Sequence, residues 1–288
     1  TDEIETVLVR VRRSAFVVVG MCSVPVLYLL YVAHYGVNSL FLDEWYSVLI
    51  SDATLHGHLT WNILWQQHNE ERFLVPNLMF ALFTVATHFN TKVIIIFDAL
   101  LLIAAYFLLM LTCRRAVGSW LRLPQVIVLG LVWFSLVDFE NALWAFQMAW
   151  YVIVALLMLM LYLLTAKTVS RASLGAAAAA AVAASLSSFQ GLLLWPVGLI
   201  YILWRLDRRH RRIEFGAAWA LVAALTCAVY FWNFNFAAAT GGRSQGYDFH
   251  HFGALIEYFL ADVGNVFPSS NFNSTTVRVH EALGSGLL

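Results

Sequence analysis

Charge is scarce in this chain. Lys, Arg, Asp and Glu make up 12% of its 288 residues, about half the share found in soluble domains. With 61% hydrophobic residues and a mean hydropathy of +0.75, that scarcity excludes a soluble globular enzyme. Lysine is nearly missing: of the 17 basic residues, only Lys92 and Lys167 are not Arg. Cysteine is limited to Cys22, Cys113 and Cys227, each inside an apolar run. Their spacing suits no metal site, so they read as small buried hydrophobes. Strict apolar–polar alternation is lacking, which excludes a transmembrane β-barrel. Disorder is excluded by 21 Phe, 11 Trp and 11 Tyr, since disordered chains are poor in aromatics.

What is present instead is a series of long apolar runs, at residues 14–36, 73–89, 93–113, 124–137, 142–166, 174–187, 191–206 and 213–232. Runs approaching 20 residues are what a helix needs to cross a bilayer, so the fold class is an all-α polytopic membrane protein. The first run is too long for the apolar core of a signal peptide, and no small-residue cleavage site follows it. Basic residues cluster at Arg10/Arg12/Arg13, Arg114/Arg115/Arg122, Lys167/Arg171 and Arg205–Arg212, and such clusters stay on the cytoplasmic side. Eight crossings would put Arg114 and Arg115 outside. The run at 73–89 carries Pro76, Asn77, Thr84, Thr87 and His88, so it is expected to lie in the interface or re-enter. About seven spans are then expected, with the amino terminus inside.

This reading divides the chain into four parts. Residues 1–36 form a cytoplasmic terminus and first span, and 37–92 an outer loop with interfacial helices. Residues 93–232 form the helix bundle, and 233–288 a second outer loop with the start of a further span. A chain that opens on Thr1 and closes on apolar residues 282–288 reads as a piece of a longer protein.

The outer loops gather the acids. Asp43 and Glu44 follow the first span directly, flanked by Phe41, Trp45 and Tyr46. A carboxylate held at headgroup depth is partly desolvated, which raises its basicity. The plainer reading is a helix N-cap at Asp43. A second cluster, Gln66 to Arg72, contains His68, Asn69, Glu70 and Arg72; a guanidinium there could fork onto a lipid phosphate. Asn141, Trp144 and Gln147 recur at helical spacing, so one face is expected to offer two amides and an indole to a hydroxyl-rich ligand. Gln190 is a weaker version of the same, and Arg243 lies in a glycine-rich stretch that reads as a ligand loop. Asp98 stands alone in an apolar run, where an ionisable group faces the protein interior.

One inward-starting span, then an outer loop opening on Asp43-Glu44, then interfacial helices and many spans, resembles the GT-C superfamily of membrane glycosyltransferases. Protein O-mannosyltransferases and lipid A aminoarabinose transferases share that acidic placement. The stretch Gln67-His68-Asn69-Glu70-Glu71-Arg72 is similar to a His-Asn-Glu-His-Arg stretch of bacterial members, with Glu71 in place of the second His. The resemblance implies inverting transfer of a sugar from a polyprenyl-phosphate donor to a lipid, glycan or protein acceptor outside the cytoplasm. It implies Asp43 as general base, and Glu44, Glu70 and Asn141 as holders of the sugar or of a divalent cation (Mg or Mn). Arg72 and Arg243 would neutralise the departing phosphate. Membrane lipids are expected partners and nucleic acid is not; the expected site is a bacterial inner membrane. The competing classes are a transporter or flippase of lipid-linked sugars, favoured by Asp98, and a non-catalytic membrane subunit.

Overall fold

The computed structural model describes residues 2–137, 139–206, 208–236, 253, 256–257 and 259–261, with side chains from Phe16 onward. Four helices are long and apolar enough to cross a membrane: Phe16–Tyr35 within α1 (Asp2–Tyr35), Thr91–Val117 (α5), Ala145–Leu164, which contains α8 (Met148–Leu164), and Arg209–Tyr230 (α11). The protein is therefore an all-α membrane protein with four helices of spanning length among the described residues, where about seven spans are expected from the apolar runs.

The shortfall has a geometric cause. The run at 124–137 forms only α6 (Leu123–Trp133), 11 residues or about 16 Å of rise, against roughly 30 Å of hydrocarbon. The runs at 174–187 and 191–206 form α9 (Arg171–Ser185) and the 17-residue stretch Phe189–Arg205, which ends in α10 (Leu194–Arg205). After the one-turn α3 (Trp61–Leu64), the run at 73–89 forms α4 (Leu74–Thr87), 14 residues closed by His88 in the left-handed conformation.

Two buried clusters share α8. One joins α1, α2 (Glu44–Leu55), α4, α5, α6 and the start of α8 around Tyr28, Ile94, Tyr106 and Phe146. The other joins α8, α9, α10 and α11 around Met160, Ala181, Trp195 and Trp219. Alanines 177, 180, 181 and 184 let α9 lie close against α8, as small residues do in lipid. Gly191 is required where the chain turns back, because a Cβ there would collide with the backbone of Ala184. The α2 helix packs on α4 and buries Ser47 and Ser51 beside Ile50 and Ala53, while Trp45, Leu49 and Leu55 are about 60% exposed. That arrangement suits a helix lying in the membrane interface.

Helix direction fixes two ends of the bundle. The first residues of α5, α8 and α10 and the last residues of α11 share an end with the 38–73 segment, through bonds that include Thr91 N to Asn38 and Arg72 to Tyr230 O. The last residues of α5, α8 and α10 lie at the opposite end, where Arg114, Arg115, Lys167 and Arg205 collect.

Candidate functional site

At the acidic end three sequence-distant segments converge. The first is the turn into α2. Asp43 takes the N-cap position of α2 with αR backbone angles, and its side chain caps nothing; it is exposed. Glu44 behaves oppositely. It is 2% exposed; its Oε2 accepts from Phe41 N at 2.8 Å and its Oε1 from Ala145 N at 2.8 Å. Burial raises its pKa, and the backbone N–H groups of Phe41, Ala145 and Phe146 pull it back down. Glu44 therefore clamps the 41–44 turn to the start of α8, and a catalytic role would require breaking that clamp.

The second segment is a hairpin: β1 (Gln67–His68) pairs antiparallel with β2 (Glu71–Arg72), His68 opposite Glu71. Asn69 makes the turn with φ 50, a conformation Asn tolerates better than most residues. Gln67 ties the hairpin down, donating to Asn235 O and accepting from Asn235 N. The His68 ring lies among Tyr46, Phe73 and Phe146, with centroids 4.4, 5.7 and 5.5 Å away. Burial lowers its pKa, while the charges of Asp43 and Glu70 raise it. Asn69 Nδ2 lies 3.4 Å from His68 Nε2, within reach to donate to the ring in the tautomer that carries its proton on Nδ1.

Arg72 does not reach outward. It is 4% exposed. Its Nε donates to Tyr230 O, Nη1 to Trp65 O, and Nη2 to Trp232 O and Asn233 O. Its guanidinium stacks near Trp65 and Phe234. The cation thus caps the carbonyl end of α11, where the helix dipole is negative. With four of five N–H donors committed to carbonyls, the expected fork onto a lipid phosphate is not open in this conformation.

The third segment corrects the expectation of a single helical face at 141–147. The chain forms α7 (Phe139–Ala142), extends at Trp144 (φ -118, ψ 110) and then makes a 3₁₀ turn, Ala145–Gln147. Asn141 and Gln147 still meet, Gln147 Nε2 donating to Asn141 Oδ1 at 2.9 Å. Trp144 Nε1 instead donates to Phe41 O at 3.0 Å, with its ring against Phe41. Trp144 locks the Asp43 turn in place; it does not stand free to stack on a ligand.

Glu71, absent from the expected site set, is 5% exposed. Ser188 Oγ lies 2.5 Å from Glu71 Oε1 and also meets Gln190 Oε1. One hydroxyl proton cannot serve two acceptors, so Ser188 donates to Glu71 and the trio is satisfied when the Gln190 amide turns its NH2 toward the Ser188 oxygen. Burial pushes the Glu71 pKa up to about 7, with the Ser188 bond lowering it and Glu70 raising it. The sign follows from linkage: between pH 4.5 and 7 the unfolded chain has released this proton and the folded one holds it, so stability falls as pH rises. The loss reaches about 3 kcal/mol. Thermal unfolding at pH 5 and pH 8 should show this fall in the wild type and a flatter profile in Glu71→Gln. Equal slopes in the two proteins would remove Glu71 as the cause.

Beneath this end, Asp98 of α5 is 2% exposed, and both carboxyl oxygens lack a hydrogen-bond partner among the described residues. The hydroxyls of Tyr28 and Tyr151 meet 3.4 Å apart. An orphaned buried carboxyl is costly, so Asp98→Leu should raise stability by about 1–3 kcal/mol; a fall in melting temperature would show that the carboxyl has a partner.

Of the expected residues, Asp43, His68, Asn69, Glu70, Asn141 and Gln147 come together around the clamp, and Gln190 joins through Ser188 and Glu71. Arg243 lies outside the described residues, as do the glycine-rich loop and the expected further span. Among the described residues no group of three His, Cys, Asp or Glu side chains is placed to hold a metal ion; only Asp43 and Glu70 flank His68. Sequence reasoning missed Asn77, fully buried at the start of α4, which donates to Tyr46 Oη and Leu64 O. A polar residue just after Pro76 in an apolar run was its signal.

Fold and site together define a helical membrane protein with a clamped, aromatic-walled polar end. The chain matches no protein-family model, no curated protein and no solved structure.

Proposed function

We propose that this end binds a lipid-linked sugar and transfers the sugar to an acceptor hydroxyl, as a GT-C-like inverting glycosyltransferase. The observation that supports the reading is the division of labour in the acidic pair. Glu44 is consumed by its backbone clamp, and Asp43, one residue earlier, is held in a fixed turn with an exposed, uncommitted carboxylate beside the His68 ring. An exposed carboxylate on a turn fixed by its neighbour is what a general base requires.

In the mechanism, Asp43 takes the proton of the acceptor hydroxyl as its oxygen attacks the anomeric carbon. The bond from that carbon to the polyprenyl-phosphate oxygen breaks, and the phosphate leaves. Asn141, Gln147, Asn69 and Glu70 offer hydrogen bonds to sugar hydroxyls. Exposed Phe41, Trp45 and Trp61 hold the end at headgroup depth, where amphipathic rings settle. Arg72 contributes by fixing the hairpin, so the departing phosphate needs a cation from elsewhere; Arg243 is the candidate. The site belongs on the extracytoplasmic face of a bacterial inner membrane, with the Arg-rich end inside. About seven crossings require α6, α9 and the 189–205 stretch to act as thin spans in a locally thinned bilayer.

The test is a transfer assay. The full-length protein in liposomes is offered a panel of polyprenyl-phosphate sugars, with and without Mg2+ or Mn2+, and release of polyprenyl phosphate is followed. Donor cleavage supports the reading. Movement of intact donor between leaflets without cleavage overturns it in favour of a flippase, the reading that Asp98 supports.

A further inference from the structure

The end of the bundle opposite the clamp carries a second feature that sugar transfer does not use. Three adjoining clefts open there, of about 330, 530 and 610 Å³, and Arg205 lines all three. Arg115 and Lys167 each line two of them. No carboxylate lines any of the clefts among the described residues; the nearest acid on α11, Glu214, is taken up by Arg171 at 2.8 Å.

The walls are built. Gly118, left-handed at φ +79, ends α5 just past the Arg114-Arg115 pair, its N–H donating to Arg114 O. Arg115 is anchored: Nη1 donates to Tyr162 O at 2.8 Å, and the guanidinium lies 3.6 Å from the Tyr162 ring centroid. Arg211 is held by Val169 O. Lys167 and Arg205, by contrast, are exposed cations with no ion pair or hydrogen bond among the described residues. The apolar surface running away from them along α10 is bare: Trp204, Ile200 and Leu203 are 76%, 67% and 44% exposed. Unpaired cations at the mouth of a cleft, above an apolar helix face with a Trp at the boundary, match the two halves of a phospholipid.

We propose that these clefts form a binding site for an anionic phospholipid. Its phosphodiester would be held by Arg205, Lys167 and Arg115, and its acyl chains would lie along Ile200, Leu203 and Trp204 of α10. A cleft lined by several cations, with no acid among its described residues, favours a phosphate headgroup over a zwitterionic one, and basic pockets between membrane helices are suited to such lipids. The site is independent of the sugar-transfer reading, because it lies at the other end of the bundle and shares no residue with it.

The test uses the full-length protein, purified in detergent and exchanged into nanodiscs of phosphatidylglycerol and phosphatidylcholine, with co-purifying lipid measured by native mass spectrometry. Phosphatidylglycerol should be retained at least tenfold over phosphatidylcholine. Retention should fall about fivefold in each of Arg205→Gln and Lys167→Gln, the worth of one interfacial basic residue. Arg122→Gln removes the same unit of charge outside the clefts and should leave retention unchanged. Equal loss in Arg122→Gln would reduce the effect to overall surface charge and overturn the site. So would equal retention of the two lipids. Displacement of the bound lipid by millimolar inorganic phosphate would identify a soluble phosphate ligand and overturn the choice of a lipid.

Discussion

Asp43→Asn is expected to lower sugar transfer by about 10²–10⁴-fold, the usual worth of a positioned general base, while leaving the melting temperature within about 1 °C. The two halves of that expectation come from the same geometry. Asp43 is exposed and its carboxylate makes no capping bond, so the amide replaces it without breaking a contact; an exposed change of this kind stays within about 0.5 kcal/mol. What is lost is the capacity to accept a proton. Glu44→Gln should show the reverse pattern. One of its two oxygens would become an NH2 group facing a backbone N–H, either that of Phe41 or that of Ala145. Stability should therefore fall, with activity following it. Parallel measurements of kcat and of thermal unfolding for the two variants separate base from clamp. Asp43→Asn with wild-type kcat would remove Asp43 from the mechanism.

Arg72→Ala should destabilise the protein by about 3–5 kcal/mol. The substitution removes four donors from carbonyls of Trp65, Tyr230, Trp232 and Asn233, several of them screened from water, and each orphaned acceptor costs about 1 kcal/mol or more. It also takes away the cation that offsets the negative end of α11. In thermal unfolding the fall is on the order of 10 °C. Arg72→Lys keeps the charge but offers a compact ammonium with three donors in place of a planar fork, so it should recover about half of the loss. This pair of variants separates two roles. A phosphate ligand would raise the KM for donor in Arg72→Lys with little change in melting temperature; a helix clasp moves the melting temperature first. Wild-type thermal stability in Arg72→Ala would refute the clasp.

Which parts of this organisation are visible in the sequence depends on how local their causes are. The polar stretch at 66–72 and the acidic pair at 43–44 stand out because charge beside an apolar run is expensive and rare. Their opposite fates do not stand out. Asp43 and Glu44 are neighbours with the same chemistry, and the backbone N–H of Ala145, about a hundred residues away, is what turns Glu44 inward. Arg72 looks like a free cation because its partners are main-chain carbonyls, which no side-chain pattern records. The 141–147 stretch has helical spacing, and tertiary contact broke it: Trp144 extends to donate to Phe41 O. Glu71 looks like a solvated loop acid beside Glu70, and only the packing of the hairpin onto Ser188 buries it.

By itself the sequence determined the solvent of this protein, its helical class, the segregation of its acids from its arginines, and the segments that hold polar chemistry. These properties follow from composition and apolar run length, and a bilayer reads both without reference to the fold. Tertiary structure alone decided how many helices reach spanning length, which carboxylate is clamped and which stays open, and that Arg72 closes α11 instead of meeting a ligand. Those outcomes rest on hydrogen bonds between residues far apart in the chain. A buried donor or acceptor takes whatever partner folding brings to it, and that partner has no fixed spacing in the sequence.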